Sequence, residues 1–396
     1  MSLPPSALRP ESAERIATLD ILRGFALLGM IVVHFHQNFR LSTPEDLRAF
    51  GETGVGYVVW MGLEQKAWGT FALLFGAGFA VLMRRAEQRG APVVAFYLRR
   101  LATLALIAIA LDAFTGFTVL LDYAIWGVPL LFIRKWPTTR LFAIAVLSAS
   151  AFTFRPLAVT VHDWTTLGKE GADSAMMARM QRSRTPPAPP QGYTDLIANR
   201  LQTIRRRVTN GTILIPNSSF ALFIIGLLAV RRGIFDDPRR HLRAIVAFML
   251  IGAASWLLFW GPLPLVPTAF APRMIGMLMQ TGFGIASDQW LAFTYIGALM
   301  LLLTFRPEWT RRLASFGIAG RMALTNYVLQ CVVIAVLASP FGLGLHLRPY
   351  YYLLAAIVLF TASVTLSRMW LSRFRYGPLE WGWRSATYLT VPPLLR

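Results

Sequence analysis

The chain is predicted to be all-α, a polytopic bundle of about ten transmembrane helices with both termini inside. Three observations predict this class. Hydrophobic residues make up 55% of the 396 positions and charged residues only 15%. Apolar runs of roughly membrane-spanning length recur from end to end, and the mean hydropathy is +0.52. The basic residues also gather in the short links between those runs. A net charge of +20, from 39 Lys+Arg against 19 Asp+Glu, would point to nucleic acid in a soluble protein. Placed in short links, the same charge is a topology signal instead, and nucleic acid is not an expected partner.

The first span is predicted over about residues 17–39. It is too long for a signal core and is read as a retained helix. Further spans are predicted at about 67–83, 96–117, 118–133, 139–155, 213–230, 243–262, 290–305, 321–339 and 350–371. The third and fourth abut near Thr118. Residues 68–80 read WGTFALLFGAGFA, and Gly69, Gly76 and Gly78 there point to close helix packing rather than a phosphate loop. Five link regions carry arginines, among them Arg84, Arg89, Arg134, Arg231, Arg312 and Arg373. All five fall on one side of a ten-span bundle, and that side should be cytoplasmic. The whole chain is thus one transmembrane domain. Residues 261–289, poor in Lys and Arg, lie outside.

Residues 162–211 are assigned to an extracytoplasmic loop, although residues 155–212 hold nine Lys or Arg. Within it, 183–191 read SRTPPAPPQ, a connector that does not pack as a helix. From Tyr193 to Val208 the chain predicts an amphipathic basic helix, with Leu196, Ile197, Leu201, Ile204 and Val208 at helical spacing. It belongs at the membrane surface or over the bundle mouth. Residues 372–396 form a cytoplasmic tail. Glu380 and Arg384 are spaced as an ion pair on a short interfacial helix, with Trp381 and Trp383 as anchors.

Residues 19–34 read LDILRGFALLGMIVVH and put Asp20, Arg23 and His34 into one apolar run. Ionisable groups at such depth face a bundle interior or a wet cavity. Arg23 and His34 are eleven positions apart, so at about 100° per residue they share a helix face, separated by roughly 16 Å. Arg23 then lies near the cytoplasmic face and His34 near the outer one. An imidazole can act as a general base, or it can simply pack and hydrogen-bond. A guanidinium fork suits a phosphate, or Arg23 pairs with Asp20. Arg99 and Arg100 open the third span at the same face and could join Arg23. His36 is a reserve for His34. Glu64 and Lys66 sit on the outer side near His34. Asp112 and Asp122 could orient a histidine or form a buried pair with an arginine. Asn326 and Gln330 are one turn apart, with polar glue as their ordinary role. No Walker, zinc-binding or nucleophile-elbow spacing is present. The single cysteine, Cys331, permits no internal disulfide and says nothing of redox compartment.

Several segments carry a family resemblance: LDILRGFALLGM, KAWGTFALLFGAGFAVLMRRA, FYLRRLATL, GRMALTNYVLQ and especially RFRYGPLEWGWRSATY. Together they resemble the YeiB-like bacterial membrane proteins, known by domain of unknown function 418. The first helix, with LD-x-LRG followed by His34, also resembles the acyltransferase-3 family. There the corresponding arginine and histidine are associated with acyl transfer, and a third-helix arginine motif is functional; Arg23, His34, Arg99 and Arg100 match these in kind. The heparan-glucosaminide acetyltransferase group is similar in architecture and carries acetyl groups from coenzyme A across a membrane. An asparagine is more usual in YeiB-like proteins where this chain has His34.

These resemblances imply an acyl-CoA-dependent membrane acyltransferase. Acyl-CoA, with acetyl-CoA foremost, is the expected co-substrate and no metal is expected. His34, Asp112 and Asp122 would be catalytic. Arg23, Arg99 and Arg100 would bind the donor. His36, Glu64, Lys66, Asn326 and Gln330 would contact substrate. The expected partners are membrane lipid and a small-molecule or glycan acceptor, and a homo-oligomer is compatible with this. A transporter of a small anionic or amphipathic solute is the rival, weakened by the lack of an internal repeat. A non-catalytic membrane protein is the third reading.

Overall fold

The computed structural model describes residues 11–39, 50–88, 93–116, 118–184, 190–214, 217–260 and 273–396. Part of the proline connector (185–189), Arg89 and part of the outer segment (261–272) lie outside them. Among the described residues the fold is helical, and the one extended pairing is an isolated bridge between Phe374 and Leu395.

In chain order the helices are α1 (Glu11–Phe39), α2 (Phe50–Gly62), α3 (Lys66–Gln88), α4 (Val93–Thr115), α5 (Leu120–Ile133), α6 (Thr138–Arg184), α7 (Tyr193–Thr209), α8 (Ser218–Arg231), α9 (Leu242–Trp260), α10 (Arg273–Phe305), α11 (Glu308–Arg312), α12 (Ala314–Arg321), α13 (Ala323–Ala338), α14 (Pro349–Arg373) and α15 (Pro378–Tyr388). Each predicted span thus falls mainly on an α-helix where its residues are described. Among the described residues, six helical stretches are long and apolar enough to cross a bilayer, and α12 with α13 makes a seventh if the bent pair is one span. The segments Leu120–Ile133, Thr138–Ala151 and Leu242–Leu258 are shorter apolar helices.

Four expectations change. Residues 162–184 are not loop: α6 continues to Arg184 and breaks its helical backbone only at Gly168 (φ 71°, ψ 179°). A helix, α2, precedes the second span and is cut from α3 at Gln65, whose φ is 66°. Helix α10 begins at Arg273, inside the segment read as outer loop. The ninth span is interrupted at Met322, with α12 and α13 bent by 84°.

Helix α1 is the hub and touches α3, α12, α13 and α14. In a bilayer, helices associate through close packing and polar contacts rather than by escaping water. The expected role of Gly76 follows this rule. A side chain there would collide with the Phe223 carbonyl of α8, as one at Gly226 would with the Leu73 carbonyl of α3. Helix α7 appears over Tyr193–Thr209 as the spacing predicts, and rests on the end of α4.

Candidate functional site

The end of α1 that carries His34 borders a cavity of about 350 Å³. His34 and Gln37 come from α1, Asp112 from α4, Tyr327 from α13, and Arg200, Thr203 and Arg207 from α7, with Thr118 in the link between α4 and α5. His34 is 5% exposed, in the last third of a membrane-length apolar helix. Its Nδ1 lies 3.8 Å from Cys331 Sγ, and its ring meets the edge of Tyr327 at 5.8 Å. The Tyr327 hydroxyl is 3.5 Å from Thr118 Oγ1 and accepts from the Val119 N–H at 3.4 Å. Tyr327 thereby ties the irregular link after α4 to the histidine.

Helix α7 is seated on this cavity by its arginines. Arg200 donates through Nη1 to the carbonyl oxygens of Ala113 (3.3 Å) and Phe114. These belong to the last turn of α4, where carbonyls lack helical partners and a cation meets the negative end of the helix dipole. Gly116, with φ +78°, ends that helix, and a side chain there would strike the Arg200 guanidinium. Burial lowers the Arg200 pKa from its ordinary value, countered by the nearby Tyr193 and Asp112. Arg207 pairs with Asp122 at 2.7 Å.

The sequence-selected residues thus divide. His34 and Asp112 share the cavity. Asp122 is held by Arg207 beside it, which is the ion-pair alternative for that residue. Glu64 reaches the edge through Gln37, whose amide donates to Glu64 Oε1 at 2.8 Å. Lys66, fully buried, pairs with Asp288 of α10. His36 is turned elsewhere: its Nδ1 lies 2.7 Å from the Tyr352 hydroxyl, and its ring packs against α14. Asn326 donates to Ala319 O and to Ser367 Oγ, each at 3.0 Å, as polar glue would. Gln330 is fully buried, and neither amide atom has a hydrogen-bond partner among the described residues.

At the other end of α1, Arg23 pairs with Asp20 at 2.8 Å. Arg100 stacks on Trp383 at 3.5 Å and lies within electrostatic reach of Arg23 and Arg384. Arg99 donates to the Thr387 carbonyl at 3.2 Å. The tail helix α15 therefore covers both α4 arginines. The spacing-based Glu380–Arg384 pair is not how these residues are used. Glu380 accepts from the N–H groups of Leu324 (2.7 Å) and Thr325 (3.0 Å) and from Thr325 Oγ1 (2.5 Å). Arg384 lies over the rings of Tyr376 and Tyr388 at 4.5 and 5.9 Å. Trp381 and Trp383, expected as interface anchors, donate to the carbonyls of Pro392 and Arg100.

The His34 cavity does not extend to Arg23 among the described residues. Helix α3 sets the levels: Ala67 packs at Gly29 and Gly78 at Arg23. Between them lie Phe71 and Phe75, packed with Tyr123, Phe223 and Tyr327. Tyr327, Thr118, Arg200, Arg207 and Asp288 are absent from the sequence-stated candidates. Arg200 and Arg207, seven apart on one helix, and Asp288, an acid in an apolar run, were the available signals.

Residues 15–168 match the family model of heparan-alpha-glucosaminide N-acetyltransferase, catalytic. Residues 229–390 match the model of the protein of unknown function family DUF418. The chain is 27% identical to the uncharacterized protein YxaH of Bacillus subtilis, over 99% of each chain. It is 27% identical to an uncharacterized 39.9 kDa protein from the amylase 3′ region of Bacillus acidopullulyticus, over 96% of each. It is 26% identical to the uncharacterized protein YeiB of Escherichia coli, over 96% of this chain and 98% of that one. No solved structure matches. By these similarities the chain resembles the YeiB-like membrane proteins along nearly its whole length, with an N-terminal part similar to an acetyltransferase catalytic domain.

Proposed function

We propose that the chain is a bacterial inner-membrane acyltransferase. It moves an acyl group, an acetyl group by the N-terminal similarity, from cytoplasmic acyl-CoA to a hydroxyl or amine of an envelope or sugar-containing acceptor. The observation that carries this reading is a buried His34 bordering a polar cavity at one end of a helix whose other end holds Arg23. The acceptor occupies the cavity and gives its proton to His34 as its oxygen or nitrogen attacks the thioester carbon. The carbon–sulfur bond breaks, and the departing sulfur receives the proton. Asp112 favours the protonated imidazole electrostatically. Arg23 holds a donor phosphate, and Arg99 and Arg100 contribute once α15 yields part of its cover. Passage of the thioester requires the Phe71 and Phe75 layer to part.

The test is acyl transfer from acetyl-CoA to a panel of hydroxyl and amine acceptors by the purified full chain. His34→Asn should abolish turnover and spare donor binding, because asparagine hydrogen-bonds but takes no proton near neutrality. Turnover retained in that variant removes the base assignment. The broken α12–α13 pair favours a second reading, since discontinuous helices often line transport sites. Solute uptake by vesicles that show no transferase activity would establish transport instead.

A further inference from the structure

The cavity holds a recognition device that the acyl-transfer reading does not use. Helix α7 carries Arg200, Arg205, Arg206 and Arg207 against one acid, Asp195. Two of these, Arg200 and Arg207, line the cavity with the hydroxyl-bearing Thr203 and Thr118. Their present contacts leave donors unused. A guanidinium has five N–H groups. Arg200 engages Nη1 with neutral carbonyls, which do not cancel its charge, and Arg207 engages Nη2 with Asp122. Asp112 and Asp122 match Arg200 and Arg207 in number, and Arg205 and Arg206 of the same helix add two further cations. The outer face of α7 exposes apolar Leu201 and Val208, 42% and 50% exposed. An amphipathic helix of this kind lies at the headgroup level of a membrane, the depth of lipid phosphates.

Resting on the acyltransferase reading, we propose that the acceptor is an acidic molecule whose phosphate group is bound by Arg200 and Arg207. Planar guanidinium forks match phosphate oxygens bidentately. The phosphate is anchored on α7 while the acceptor's hydroxyl or amine points toward His34. Gly116 lets Arg200 tuck in beside the end of α4.

The test measures binding to the purified full chain in neutral detergent without acyl-CoA, so its outcome is separate from turnover. The probes are dioctanoyl phosphatidylglycerol, glycerol 3-phosphate and uncharged dioctanoylglycerol. At least one phosphate probe should bind, and Arg200→Gln and Arg207→Gln should each weaken it about 10-fold or more. Affinity for the uncharged probe should not change. Asp122→Asn separates ligand binding from mere structure, because it breaks the same ion pair but frees Arg207; it should bind phosphate at least as tightly as the parent chain. Binding of the lipid alone identifies a headgroup, and competition by glycerol 3-phosphate identifies a soluble phosphate. Failure of both phosphate probes to bind, equal losses for charged and uncharged probes, or a loss in Asp122→Asn matching that in Arg207→Gln would each overturn the proposal.

Discussion

At the level of single residues, ionisable groups sit near both ends of the apolar part of α1. Arg23 faces Asp20, and its remaining donors suit a phosphate. Arg23→Ala is expected to weaken acyl-CoA binding by about 1.5–3 kcal/mol, and Arg23→Lys to recover only part of it. Calorimetric titration of the purified protein checks this, and unchanged affinity would make Arg23 structural. Lys66 and Asp288 are a second buried pair. Removing one partner strands the other, so Lys66→Met should cost about 3–5 kcal/mol, and adding Asp288→Leu should restore most of it. Thermal unfolding in detergent reads both, and equal stability of the single variant and the parent chain would contradict the pairing. His34, Arg23 and Lys66 were legible in the sequence because ionisable groups in such runs are rare and costly. Tyr327 was not, because a tyrosine in an apolar helix is ordinary. The Arg207–Asp122 pair was not legible either, since its two residues lie 85 positions apart in sequence.

Among the elements, α13 connects the tail to the site. Its first N–H groups are satisfied by Glu380 of α15, and Tyr327 and Cys331 one and two turns on meet His34. A carboxylate at a helix N-terminus also meets the positive end of the dipole. Glu380→Gln keeps the shape and loses the charge. It should cost about 1–3 kcal/mol and expose the tail to limited proteolysis before the bundle unfolds. A tail as protected as in the parent chain would deny Glu380 this role. The spacing of the tail suggested an ion pair within α15 because local rules see only neighbours on the same helix. The amphipathic α7 was legible for the opposite reason: its pattern is local and complete. The break at Met322 was hidden because no proline marks it and the apolar run continues at Ala323 and Leu324.

For the whole molecule, the distribution of basic links argues that the α3–α4 link is cytoplasmic and the long segment before α7 is outside. In a Cys331→Ala background, Thr166→Cys should react with an impermeant maleimide added to intact cells, and Gln88→Cys only after permeabilisation. The reverse pattern would turn the bundle over and place the His34 cavity on the cytoplasmic side. Helix positions were legible almost throughout, whereas the number of crossings was not. Helix α5, with 14 residues, extends only about 21 Å against a hydrocarbon core of about 30 Å. Composition marks such a helix as apolar without saying whether it crosses alone.

The Glu380 contact also has a temporal meaning. Helix α15 follows α13 in the chain, so during synthesis α13 emerges with its leading N–H groups lacking their carboxylate. Until the tail folds back, the face that holds Tyr327 against His34 is incompletely fixed. A nascent or truncated chain can therefore insert its helices and still lack a finished site. Capping of α13 by Glu380 is thus expected to follow synthesis of the other helices.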